Sequence, residues 1–131
     1  MKLNKECVRK VLLYIEKSNY GVAIGFDNLV NDLSKYDKDT VSYTLLKLEE
    51  ANYIKANLDS GMAEDHRIIL SGGTINEITW SGHQFLDTIR DPKIWSKTKE
   101  VANKLEDISI TLLSKIAVTV IEDVITGKII L

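Results

Sequence analysis

The stretch from residue 37 to residue 80 constrains the fold most strongly. It opens with a helical pattern over residues 37–51, where apolar side chains recur at three- and four-residue steps. It continues through residues 53–58, which alternate as a half-buried strand does, and it returns through a second strand at residues 74–79. A helix followed by two strands that a polar excursion joins predicts a hairpin beside that helix.

Two shorter helical patterns precede this stretch. The first begins after Asn4, whose side chain is suited to cap a helix, and runs to about Ser18. A small apolar strand is expected at residues 22–24, followed by a second helix that starts near Phe26. A turn at residues 34–37 then leads to the third helix, and this spacing of the second and third helices is typical of a helix-turn-helix.

The order of elements predicts an α+β, mostly helical fold, namely a winged helix-turn-helix with a two- to three-stranded antiparallel wing and additional C-terminal helices. After a break at residues 59–61, the wing is expected to span residues 62–73, with extra pairing at 67–70. Asn52 stands where winged-helix proteins generally have glycine, and asparagine tolerates the left-handed turn nearly as well. The predicted domains are residues 1–90 for the winged helix and 91–131 for a helical extension.

The C-terminal extension carries the most apolar segment of the chain. Asp91 and Pro92 start an amphipathic helix, and residues 108–126 form a last helix with a wide apolar face. Its lysine and two acidic side chains argue against a membrane span. We expect this face to pack on its own domain or to form a homodimer, and the homodimer is favoured because the preceding helices can close a core without it.

The charge balance limits the nucleic-acid hypothesis. The net charge is -2, and residues 1–60 hold nine basic and nine acidic side chains. DNA-binding proteins usually carry a basic excess, because contacts with phosphates supply much of their affinity. Any contact with double-stranded DNA must therefore rest on local clustering. The candidate contacts are Lys35, Tyr36, Lys38, Ser42, Tyr43 and Lys47 around the third helix and Arg67 on the wing.

Two interpretations of this surface remain open. Lysines and hydroxyls on the outer face of the third helix can contact phosphates and base edges in a major groove. The wing tip, however, is acidic at Glu64 and Asp65, which would repel a DNA backbone. The first interpretation is a winged-helix DNA-binding protein, and the alternative is a protein-protein interaction module that uses the same scaffold without DNA.

No catalytic or metal-binding pattern is visible, so we predict no enzyme activity, no cofactor and no metal site. Cys7 is the one cysteine, and it falls on the apolar side of the first helical pattern, as a buried structural residue does. His66 and His83 have no ligands at metal spacing around them. A single cysteine and the lack of an apolar N-terminal run favour a cytoplasmic location.

A nine-residue motif from Thr79 to Asp87, Thr-Trp-Ser-Gly-His-Gln-Phe-Leu-Asp, carries a family resemblance. Together with Arg90, Asp91, Trp95 and residues 1–4, 8–10 and 41–51, it resembles a family of uncharacterised bacterial winged-helix proteins common in prophages and other mobile elements. The resemblance covers nearly the whole chain. It implies a cytoplasmic, phage-related protein without established catalytic residues, and with the first interpretation it suggests a prophage-encoded transcriptional regulator.

Overall fold

The computed structural model describes all 131 residues. It is an α+β structure with six helices and a three-stranded antiparallel sheet in the order β1-β3-β2. The chain forms two compact units, residues 1–83 and residues 84–131. The domain boundary expected between residues 90 and 91 stays a prediction. The elements are α1 (Lys5–Glu16), β1 (Ile24–Gly25), α2 (Phe26–Asp32), α3 (Lys38–Glu50), β2 (Ile54–Met62), β3 (Ile68–Ile78), α4 (Trp80–Ile89), α5 (Pro92–Ala102) and α6 (Ile110–Ile125).

Helix α1 begins where its capping residue predicts. The Asn4 side chain accepts a hydrogen bond from the backbone N–H of Cys7 at 2.9 Å, which satisfies one of the exposed amides of the first turn. The apolar side of α1 is fully buried, including Cys7. Burial raises the pKa of this thiol, although a hydrogen bond with Thr44 acts in the opposite direction. Cys7 is thus the structural residue that its position predicts.

Helix α3 is capped by Asp37. The Asp37 carboxylate accepts a hydrogen bond from the N–H of Thr40 at 2.7 Å, and this bond lowers the pKa of Asp37. The helix buries Val41, Leu45 and Leu48 completely. Burial of this stripe orients α3 on the core, because a helix with one apolar side has one way to face it.

The hairpin of β2 and β3 is longer and more regular than the sequence predicts. The break expected at residues 59–61 is wrong, and the expected loop at 62–73 shrinks to a turn, because both strands continue through these positions. The extra pairing expected at residues 67–70 is confirmed over Ile68 to Leu70. Two β-bulges absorb the irregular sequence, since Asn76 and Ser71 of β3 have no partner of their own on β2.

Gly73 lets the two strands of the hairpin approach each other. Its φ is +115°, which L side chains rarely adopt. A Cβ there would lie 2.2 Å from the carbonyl oxygen of Asn57 and 2.8 Å from the Cα of Leu58. The pair of glycines at 72 and 73, which looks like loop composition in the sequence, therefore belongs to the strand.

A junction formed by Asn52, Tyr53, Thr79 and Gly82 joins α3, the hairpin and the start of α4. Asn52 ends α3 with a φ of +62°, as the sequence predicts for a residue in place of glycine. The Thr79 hydroxyl donates to the Asn52 carbonyl at 2.6 Å and accepts from the N–H of Gly82 at 3.0 Å, so it caps α4. The N–H of Thr79 donates to the Tyr53 carbonyl at 3.0 Å. These bonds hold both ends of the hairpin beside the end of α3.

The elements that flank the hairpin show two further details. Trp80 is 79% exposed, because it occupies the first position of α4 on the outer side. The strand expected at residues 22–24 starts two residues later and ends one residue later, since β1 pairs with β3 through Ile24 and Gly25.

The second unit contains α5 and α6, which pack on each other. Asp91 caps α5 by accepting from the N–H groups of Lys93 and Ile94, and proline occupies the first turn as expected. Ser109 caps α6. Only part of the apolar face of α6 is buried, and Leu112, Val118 and Ile125 remain exposed. The expected homodimer through this helix stays a prediction.

Candidate functional site

The outer face of α3 differs from the one that the sequence predicts. Ser42 was expected to point to solvent, but it is only 8% exposed and counts among the buried polar residues. A residue advances by about 100° around a helix, so Ser42 lies at the margin of the buried stripe rather than opposite it. The centre of the exposed face is formed by Asp39, Tyr43, Leu46 and Glu50. Leu46 is an apolar residue that is 40% exposed.

The predicted DNA contacts of α3 do not form one surface. Lys38 lies near the angular position of Ser42, whereas Lys47 lies about 140° around the helix axis from Ser42. The Lys47 ammonium pairs with Glu50 at 3.0 Å and lies 5.4 Å from the centre of the Tyr43 ring. The hydrogen bond with Glu50 raises the pKa of Lys47. Tyr43 and Lys47 thus contact each other, on a different side of the helix from Lys38.

Lys35, Tyr36 and Lys38 lie together before and at the start of α3. The Lys35 ammonium lies 5.8 Å from the centre of the Tyr36 ring, and the Lys38 ammonium lies 5.8 Å from that of Phe26. Tyr36 is half-buried, and desolvation raises its pKa. Both lysines are exposed. At this end of α3, the ammonium groups of Lys35 and Lys38 thus lie near aromatic rings rather than near carboxylates.

Arg67 lies at the end of the hairpin turn, where two carboxylates bind it. Its Nε donates to Asp65 at 2.7 Å within the turn, and its guanidinium also donates to Asp39 of α3 at 3.1 Å. The hydrogen bond from Arg67 lowers the pKa of Asp65. The hairpin tip, which we define as residues 62–68, is thereby tied to the first turn of α3. An arginine engaged in this way is a poor phosphate ligand.

The charges of this surface sum to an acidic patch. Helix α3 with its cap carries two lysines against four carboxylates, and the hairpin tip carries one arginine against two carboxylates. Exposed pairs of this kind contribute little to stability, and added salt screens them. Their effect on function is larger, because an acidic patch raises the free energy of a nearby phosphate backbone.

The hairpin tip also exposes an apolar pair that the sequence reasoning missed. Met62 and Ile68 are directly opposite each other across the two strands, and they are 71% and 78% exposed. Residues opposite each other in an antiparallel pair lie on the same face and contact each other. The sequence placed Met62 in a loop and gave no partner for the pairing expected at Ile68, so their pairing across a five-residue turn was not visible. An apolar residue on each side of that turn was the available signal.

A cleft of about 590 Å³ lies elsewhere in the first unit, between the end of α1 and the end of β3. Its polar lining includes Glu16, Glu77 and His83, and Glu77 pairs with Lys55 at 3.4 Å. The structure contains no group of three or more His, Cys, Asp or Glu side chains that could hold a metal ion.

Comparison with known proteins places the chain in a family. The profile of a family described as hypothetical protein (DUF2513) matches residues 2–109. The chain belongs to the DUF2513 family. The DUF2513 match covers α1 to α5 and ends before α6. The chain is also similar to an uncharacterised protein of Haemophilus influenzae, with 28% identity over 126 residues that span 95% of this chain and 99% of the relative. No solved structure matches.

No helix of the structure combines the length and the apolar character that crossing a membrane requires.

The pair of Asp65 and Arg67 in the hairpin turn predicts a pH dependence. Substitution of Arg67→Gln removes the donor that lowers the pKa of Asp65, so this pKa should rise towards its usual value. In the native protein, acidification through the depressed pKa of Asp65 should break the Asp65–Arg67 pair, because only the ionised carboxylate pairs with arginine. Titration of the carboxyl carbons by NMR measures both effects. Asp37, whose pKa is lowered by Thr40, is the internal control; an unchanged Asp65 pKa in the variant would contradict the assignment.

Proposed function

We propose that residues 1–83 form a winged helix-turn-helix module that binds a partner protein. Three helices, a hairpin that follows the third helix and the sheet order β1-β3-β2 support the winged-helix assignment. The observation that carries the function is the exposed Met62–Ile68 pair at the hairpin tip. Aromatic residues and methionine are enriched in protein interfaces, and apolar tips of this exposure are stabilised when a partner covers them.

The surface around the tip fits a protein better than it fits a nucleic acid. Arg67 ties the tip to Asp39, so the apolar pair and the outer face of α3 belong to one connected surface. That face contributes Tyr43 and Leu46, with carboxylates around them. An apolar centre with an acidic rim suits a partner that presents apolar side chains flanked by lysine or arginine.

The interaction proposal is tested by capture from phage-bearing bacterial cells. The whole chain serves as bait, and the double variant Met62→Ser, Ile68→Ser is compared with Leu112→Ser, which changes an exposed apolar residue of the second unit. Recovery of a stoichiometric protein should fall at least about tenfold for the double variant only, because burial of each apolar side chain contributes about 1.5–3 kcal/mol. Recovery of nucleic acid alone, or equal recovery with both variants, would refute the proposal.

DNA binding is the second candidate, and the lysines before and at the start of α3 favour it. Lys35 and Lys38 are exposed, and Lys47 lies two to three turns farther along the helix. In helix-turn-helix proteins the second helix of the motif lies in the major groove and its N-terminal residues contact base edges. The resemblance to phage-related proteins would make such a binder a prophage-encoded transcriptional regulator, and this role stays a prediction.

The DNA candidate predicts a weak, salt-dependent affinity. Two phosphate contacts from Lys35 and Lys38 give a slope of about -1.8 in a plot of log affinity against log salt concentration. The measurement is the fluorescence anisotropy of a labelled random duplex at low salt. Lys38→Glu should reduce affinity and slope, whereas Lys10→Glu on the exposed side of α1 should leave both nearly unchanged. No rise in anisotropy at high micromolar protein, or equal curves for the two variants, would exclude this candidate.

A further inference from the structure

Strand β2 forms an edge of the sheet with no strand beyond it. Tyr53, directly before β2, accepts a hydrogen bond at its carbonyl from the N–H of Thr79, and Ala63, directly after β2, donates its N–H to the Arg67 carbonyl. Both of these odd-numbered residues therefore direct their backbone groups towards the β3 side. Backbone direction alternates along a strand. The even-numbered residues therefore direct their N–H and C=O groups outwards. A nine-residue edge with outward-directed backbone groups is a template for another strand.

The exposed side chains of this edge are self-complementary. Lys55, Asn57 and Asp59 alternate with the half-buried Ala56 and Leu58. If two copies of β2 pair in antiparallel fashion about Asn57, Lys55 of each copy lies opposite Asp59 of the other. The two Asn57 amides then face each other. Ala56 of each copy lies opposite Leu58 of the other, and these are the residues whose backbone groups are free to exchange hydrogen bonds.

Other registers of the same pairing lose this complementarity. Centring the pair on Lys55 or on Asp59 places like charges directly opposite each other, which destabilises a sheet. Centring it on Ala56 or on Leu58 leaves Lys55 opposite Asn57 or Gly61 and forms no ion pair. The register about Asn57 is the one of these five that forms two ion pairs and also uses the outward-directed backbone groups.

We propose that two copies of this chain associate through their β2 edges into a continuous six-stranded antiparallel sheet, with the two-fold axis at Asn57. The partner is a second copy because the charge pattern complements itself. This association does not depend on DNA binding, and it uses a surface different from α6, through which the sequence predicts a homodimer. An extended segment of a different protein could use the same edge, and in that case the purified chain would remain monomeric.

Sedimentation equilibrium of the whole chain tests the proposal. An interface formed mainly by one strand from each copy is small, so the wild type should shift towards twice its 14.8 kDa mass between about ten micromolar and one millimolar. Asp59→Lys should raise the dissociation constant at least about fivefold, because two attractive pairs become repulsive. Lys55→Glu should act likewise. The double variant Lys55→Glu, Asp59→Lys should restore association, since it exchanges the two charges.

A mixture of the two single variants is the most specific arm of the test. In a mixed pair, Glu at position 55 of one chain faces Lys at position 59 of the other, and the remaining native Asp59 faces the native Lys55. The mixture should therefore associate more tightly than either variant alone. Thermal unfolding of each variant checks that the fold is intact, since Lys55→Glu also places a carboxylate opposite Glu77.

Variants outside the edge complete the design. Ile125→Lys changes an exposed apolar residue of α6 and should leave the edge association unchanged. A wild type that stays monomeric at one millimolar would overturn the proposal and leave the edge to a different protein. A dimer that Ile125→Lys abolishes, or one that ignores the charge reversals and their mixture, would overturn it in favour of α6 or another surface.

Discussion

The close crossing of Gly82 over the Tyr53 carbonyl is the constraint on which the first unit depends. A Cβ at position 82 would lie 2.1 Å from that carbonyl oxygen and 2.6 Å from Cγ2 of Ile78, so only glycine fits without a shift of the backbone. Thr79 bonds to both sides of this crossing. The segment from Thr79 to Gly82 thus performs a physical task, because it holds the start of α4 against the entrance to β2.

The crossing of Gly82 over the Tyr53 carbonyl determines which surfaces of the hairpin are exposed. With both of its ends held beside the end of α3, the hairpin extends away from the junction, and Arg67 at its far end reaches Asp39 in the first turn of the helix. The apolar tip and the outer face of α3 are consequently combined into one surface. The same geometry leaves β2 at the edge of the sheet. One junction therefore positions two surfaces, the apolar hairpin tip with carboxylates around it and the open edge of β2.

Local interactions were predictable from the sequence, and interactions between distant residues were not. The caps at Asn4 and Asp37 and the left-handed turn at Asn52 depend on neighbouring residues, so their residue types predict them. The burial of Ser42 depends on its angle to a core formed by other elements. The Arg67–Asp39 bond joins residues 28 positions apart, and no spacing rule reaches that far. The bulges interrupt the regular alternation of β3, and glycine and serine at residues 60–61 and 71–73 are typical of loops. A loop was therefore predicted where the two strands continue.

Chemical denaturation of Gly82→Ala tests the role of the crossing most directly. The added methyl group cannot avoid the Tyr53 carbonyl without moving the backbone, so the free energy of unfolding should fall by about 1–3 kcal/mol or more. Gly72→Ala is the matched control, because a Cβ there would meet only a side-chain oxygen of Asp59 at 3.8 Å, an ordinary contact. The account predicts a clearly lower urea midpoint for Gly82→Ala than for Gly72→Ala; equal midpoints would contradict it.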